Sequence, residues 1–181
     1  MDAKLGKVVI PAAGMGTIAI PRPEVSMSIW FKAITLEQAQ QMNRTAPNLD
    51  THMGIEITEI GPDYLRGTMP VDERTRQPFG LLHGGASVSL AETLGSVAAN
   101  LCLDGTRSYA VGQEINANHI RSARSGKVTG TARPVHLGSR SQVWDIRIED
   151  DAGRLTCVSR LTMSVLEAPG RGAAHLVENL T

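Results

Sequence analysis

Aromatic residues make up only 3% of this 181-residue chain: two each of Trp, Tyr and Phe. A core must therefore be aliphatic, and a 41% share of hydrophobic residues is enough to build one. Cysteine is nearly absent as well. Cys102 and Cys157 stand far apart and match neither a disulfide framework nor a metal-binding spacing. A reducing cytoplasm is the expected setting. Net charge is lacking, with 18 basic against 18 acidic residues. That removes the electrostatic reason to expect nucleic acid or a membrane surface as partner, and any anion-binding patch must be local. Five histidines are scattered at 52, 83, 119, 136 and 175, with no paired spacing. No zinc or other metal is expected. No apolar run approaches the ~18 residues of a membrane span.

The ends show little periodicity. KLGKVVIPAAGMGT has the form of a strand and a glycine-rich phosphate loop. Such a loop needs a large parallel-sheet domain behind it, and the proline-rich IPRPEVSMS follows instead. Pro11, Pro21 and two glycines also break the apolar run that a signal peptide needs. Residues 1–28 are expected to be a poorly ordered extension and 168–181 a tail. The length suits one domain, placed at 29–167.

Within that domain, Thr35 and Gln38 make a capping box that opens a short helix. Residues 53–61 and 64–71 alternate around a GPD turn and predict a hairpin. A long helix runs from Gly84 to about Cys102, stopped by Asp104-Gly105. Four strands follow, at 109–120, 127–135, 142–149 and 155–165. In the third, Trp144, Ile146 and Ile148 alternate with polar neighbours. Pro134 suits an edge or a strand end. The order is helix, two strands, one long helix, four strands. This α+β order predicts an antiparallel sheet wrapped around one central helix. Its long edges favour association of copies edge to edge.

The stretch QPFGLLHGGASVSLAETLGSVAAN places one carboxylate, Glu92, in a helix of small and apolar residues. Its helical neighbours are Val88, Ser89, Gly95 and Ser96. Leu90, Leu94, Val97 and Leu101 form the sheet-facing stripe. A solvated helix face usually carries several charges; this one carries a single acid with no basic partner on the helix. A sequestered carboxylate needs hydrogen-bond partners or a task. The preceding loop supplies Gln77, His83 and the N–H groups of Gly84 and Gly85. A helix start with free N–H groups can hold a developing oxyanion. The bland alternatives are turn chemistry for the glycines and a local hydrogen bond for His83. Taken together, the residues predict acyl-transfer chemistry.

HGGASVSLAETLGS resembles the central-helix motif of hotdog-fold acyl-CoA thioesterases, in the branch acting on aromatic acyl-CoA. INANHIRSARSG and HLGSRSQVWDIRI extend the resemblance in register. It implies the hotdog fold and hydrolysis of a hydroxybenzoyl-, phenylacetyl- or dihydroxynaphthoyl-like acyl-CoA. It makes Glu92 the general base or nucleophile and puts the Gly84 N–H on the thioester carbonyl. His83 and Gln77 would orient the thioester or the water, and Ser96 would assist water or product. CoA contacts map to Asn118, His119, Arg121 and Ser122, and to Gly138, Ser139 and Arg140. No cofactor or metal is implied. The active site is shared across a homodimer, with a dimer of dimers as the expected assembly. Two other readings stay open. A hotdog acyl-thioester dehydratase pairs its acid with a histidine in a proline-rich loop, whereas His83 is followed by two glycines. A non-catalytic acyl-CoA-binding hotdog protein should lack the acid and carry a DNA-binding element.

Overall fold

In the computed structural model of the chain, residues 28–42 and 47–168 are described. The expected extension, apart from Ser28, and the expected tail, apart from Ala168, lie outside the described residues. Helix α1, Leu36–Met42, opens on the Thr35 box: Thr35 Oγ1 accepts from the Gln38 N–H at 3.2 Å, and Gln38 Oε1 from the Thr35 N–H at 3.0 Å.

Residues 49–53 depart from expectation. They form a short helix, α2 (Leu49–Met53), where the alternation predicts a strand starting at 53. Asn48 and Thr51 exchange side-chain and backbone hydrogen bonds across its first turn. Gly54, at φ 70°, closes it in the left-handed region that glycine tolerates best. The hairpin is therefore shorter than predicted, with β1 at Glu56–Ile60 and β2 at Leu65–Pro70. Then come α3 (Gly84–Leu101), β3 (Ser108–His119), β4 (Lys127–Leu137), β5 (Ser141–Asp150) and β6 (Leu155–Glu167). The strands form one sheet of order β1-β2-β4-β5-β6-β3, antiparallel throughout. β4 runs past Pro134 through a bulge. It does so beyond Ala132, the last residue paired with β2, so the proline sits where the strand has one neighbour.

One face of this sheet wraps α3. Leu90, Leu94, Val97 and Leu101 are buried against it, with Trp144, Ile146, Ile148, Leu161 and Met163 beneath. The close approach depends on glycine pairing: Gly67 of β2 stands opposite Gly130 of β4. A Cβ on Gly67 would lie 2.8 Å from Leu94 Cδ2 and 2.7 Å from the Glu56 carbonyl oxygen; one on Gly130 would lie 2.6 Å from Leu94 Cδ1. Gly67→Val is therefore expected to cost about 1–3 kcal/mol of stability by overpacking. The drop should show as a lower urea midpoint at unchanged slope; an unchanged midpoint would mean that the helix has slack against the sheet.

Two side-chain networks lock the end of α3. Gln142, buried in β5, donates to the Ala99 carbonyl at 3.4 Å and accepts the Trp144 indole N–H at 3.0 Å. Asn100 grips Ala110 of β3, accepting its N–H at 2.9 Å and donating to its carbonyl at 3.0 Å. The sheet's two edges differ. β1 is covered by α1, whose Gln40 donates to the Ile57 carbonyl at 2.7 Å. The 12-residue β3 pairs with β6 on one side and, among the described residues, with nothing on the other.

Candidate active site

Helix α3 begins with His83 as its N-cap. The loop before it is tied down on both sides: His83 N–H donates to the Thr75 carbonyl, and Leu82 N–H to that of Ala123, each at 2.8 Å. His83 Nδ1 accepts the Gly85 N–H at 2.9 Å, so the ring proton of a neutral His83 sits on Nε2. The Ala86 and Ser87 N–H groups reach the His83 carbonyl at 3.0 and 3.2 Å. Among the first four N–H groups of the helix, only that of Gly84 has no acceptor among the described residues. A free N–H at the positive end of a helix is what an oxyanion needs.

Gly84 opens onto a cleft of about 310 Å³ that is also lined by Gln77, Ser87, His119, Arg121 and Ser122. The Gln77 loop folds back on itself: Gln77 N–H donates to the Leu81 carbonyl at 2.8 Å, and Gln77 Oε1 accepts from the Phe79 N–H. Phe79, at the tip, is 85% exposed. The His119 ring abuts Gly84 closely, and a Cβ there would lie 2.7 Å from His119 Nε2. Gly84 has no positive φ; the ring, and not the backbone, calls for glycine.

The other predicted residues lie elsewhere. Glu92 is eight residues further along α3, about 12 Å up the axis. Its carboxylate is half-buried and touches Gly112 of β3, where a Cβ would overlap Oε1. Ser96 Oγ donates to the same oxygen at 3.3 Å. Glu92 makes no ion pair among the described residues. Burial raises its pKa above the usual carboxylate value, and the Ser96 hydrogen bond only partly opposes this. Gly95, three residues after Glu92 on the helix, packs on Leu161 of β6. Asn118 alternates with His119 along β3 and so faces the other side of the sheet. Gly138, Ser139 and Arg140 form the β4–β5 turn. The Arg140 carbonyl accepts the Val165 N–H at 2.9 Å, and Val165 pairs with Ala110. His119 pairs with Cys157. Nine strand residues, about 30 Å, thus separate the two predicted CoA-binding groups within one chain.

Gly112 was not singled out from the sequence. The available signal was a lone glycine inside a strand pattern, which marks a bulge or a close approach. Neither cysteine offers a competing nucleophile. Burial pushes the Cys102 thiol up to about 12 and raises that of Cys157, which leaves both inert. Among the described residues, no group of three or more His, Cys, Asp or Glu could hold a metal. No helix among them is long and apolar enough to cross a membrane.

Known proteins resemble this chain in sequence and fold. The thioesterase superfamily matches residues 79–157. The 1,4-dihydroxy-2-naphthoyl-CoA hydrolase of Escherichia coli is 56% identical over 138 residues, 76% of this chain and 99% of that protein. The proofreading thioesterase EntH of Cronobacter turicensis is 51% identical over 140 residues, 76% of this chain and 98% of that protein. A thioesterase crystal structure from Haemophilus influenzae superposes with a TM-score of 0.72 at 52% identity, covering 77% of this chain and 95% of the other. With a sheet wrapped on one central helix, and a lone acid and a free N–H on that helix, the chain belongs to the hotdog-fold thioesterase superfamily.

Proposed function

We propose that the chain hydrolyses an aromatic acyl-CoA to the free acid and CoA, using Glu92 and the start of α3. The observation that carries this reading is the half-buried Glu92 carboxylate, hydrogen-bonded by Ser96 and in no ion pair among the described residues. A carboxylate with a raised pKa is a better base near neutral pH. Glu92 drives attack on the thioester carbon. As base it takes a proton from water while the water oxygen bonds to carbon; as nucleophile it forms a mixed anhydride that water then opens. The carbonyl oxygen, now an oxyanion, receives the Gly84 N–H. The C–S bond breaks, its electrons stay on sulfur, and CoA leaves as a thiolate that takes up a proton. Gln77 and His83 orient the thioester or the water, and Ser96 holds water or product. The aromatic preference rests on the relative named for naphthoyl-CoA.

Two copies build each site. Within one chain, Glu92 stands about 12 Å from Gly84 along the helix, too far to act on one carbon. Pairing β3 with its counterpart across a two-fold axis sets the start of one strand beside the end of the other. The Glu92 and Arg140 end of one copy then approaches the Gly84, His119 and Arg121 end of the second. Asn118, Ser122, Gly138 and Ser139 complete the CoA contacts, and His119 lies toward the thioester end. Residues 29–167 form the catalytic unit. Two such dimers associate as a tetramer, and the free cysteines suit a cytoplasmic setting.

The test is a panel of aryl- and alkyl-CoA thioesters assayed with a thiol reagent. Aryl substrates should exceed straight-chain ones of similar size by about tenfold or more in kcat/KM. Absence of CoA release from every thioester would leave a binding protein instead. The arginines add a second prediction. Charge that binds phosphate equally in ground and transition states affects KM and spares kcat. Arg121→Ala and Arg140→Ala should each raise KM for the CoA thioester about tenfold while leaving kcat near wild type. An N-acetylcysteamine thioester, which has no nucleotide, should notice neither change. A kcat loss shared by that short substrate would place the arginines in the chemistry or the fold.

A further inference from the structure

We propose that Gly112 in β3 is a positioning residue that sets where the Glu92 carboxylate sits, an inference that rests on Glu92 being the acting acid. Glycine at 112 has no backbone reason. Its φ is not positive, unlike that of Gly54, Gly80, Gly126 and Gly153. Glycine inside a strand loses side-chain packing and backbone entropy, so its presence calls for a steric cause. The cause on view is Glu92, whose Oε1 occupies the place a Cβ would take.

The surroundings leave the carboxylate little choice of position. Ser96 Oγ holds Oε1 from the helix side at 3.3 Å and lies 3.8 Å from Met163 Sδ. Met163 is the residue paired with Gly112 across β6. The strand is anchored to the helix two residues earlier, where Asn100 grips both the N–H and the carbonyl of Ala110. A bulge follows at once, between Gly112 and Glu114. Bulges beside active sites re-aim side chains, and here the bulge follows the stretch of β3 that meets the acid. With the strand anchored, a methyl group at 112 cannot be absorbed by backbone movement alone. The flexible Glu92 side chain yields, and its carboxylate leaves the position in which Ser96 holds it.

The test is Gly112→Ala, compared with Glu92→Asp and the double variant. Gly112→Ala should lower kcat about tenfold or more for both an aryl-CoA and its N-acetylcysteamine analogue, since small displacements of a reacting group are costly. KM for the CoA thioester should stay within a few-fold, and thermal stability and assembly should be unchanged or improved. Glu92→Asp shortens the acid by one methylene and draws its carboxylate back from β3. Combined with Gly112→Ala, it should cost clearly less than it costs alone. Wild-type kcat in Gly112→Ala, or strictly additive losses in the double variant, would overturn the proposal. Glu92→Gln separates the two levels: if it is inactive while Gly112→Ala is normal, only the positioning role is wrong. If Glu92→Gln is active, the acid itself was misassigned.

Discussion

Glu92→Gln is expected to fold normally and to lose about 10²-fold or more in kcat. The amide keeps the shape and can still meet Ser96, but it can neither take a proton from water nor attack carbon. Stability should move the opposite way. Burial raises the Glu92 pKa above its ordinary, unfolded value. The folded state therefore favours the protonated form. The stability this group contributes is fully present below the unfolded pKa and is lost as pH rises through the raised folded pKa. In the fold the charged acid is thus the less stable form, and a neutral isostere should hold or raise the melting temperature. The same shift fixes the sign of the acid limb in wild type: kcat/KM should fall as pH drops, starting above the usual carboxylate range. Turnover and a melting curve on one preparation check both halves. Wild-type turnover in Glu92→Gln would remove this acid from the mechanism.

Removal of one backbone N–H should be nearly as damaging. Gly84 is the first residue of α3, a position where proline is well tolerated because its missing N–H has no helical acceptor. His83, at φ −68° and ψ 135°, already has the extended conformation that a residue before proline adopts. Gly84→Pro thus deletes the free N–H at little cost to the helix. It should lower kcat by about 10²–10³-fold, as loss of an oxyanion donor does. Any side chain at 84 also meets His119, so Gly84→Ala, which keeps the N–H, is the steric control and should stay far more active. Co-expressing Gly84→Pro with Glu92→Gln then tests the shared site. If one copy supplies the acid and the other the N–H, a mixed dimer has one site with both lesions and one with neither. About a quarter of wild-type activity should return, because half the dimers are mixed and one of their two sites is intact. No recovery in verified mixed dimers would put both groups in one subunit.

The strands were legible where alternation was strong. Trp144, Ile146 and Ile148 were read as one face from period-two patterning, and all three are fully buried. The start of α3 was legible from its glycines and its stop from Asp104-Gly105. Helix α2 was missed because its box runs from Asn48 to Thr51, without the Glu or Gln that usually marks such a start, and because it is only five residues long. Gly54 was the overlooked stop signal.

The sequence by itself determined the order of the elements apart from α2, the burial of one stripe of α3, and the presence of a single acid in a helix of small residues. These follow from local periodicity and from the cost of burying charge, both of which act within a few residues. Only the tertiary structure decided what touches that acid. Gly112 lies twenty residues later, on a strand held to α3 by Asn100; His119 reaches Gly84 from the far end of the same strand. The structure also set Arg121 and Arg140 at opposite ends of the sheet. Such neighbours are fixed by strand register and by how a twisted sheet wraps a helix. Those long-range contacts leave no periodic trace in the chain beyond a glycine where none was needed for the backbone.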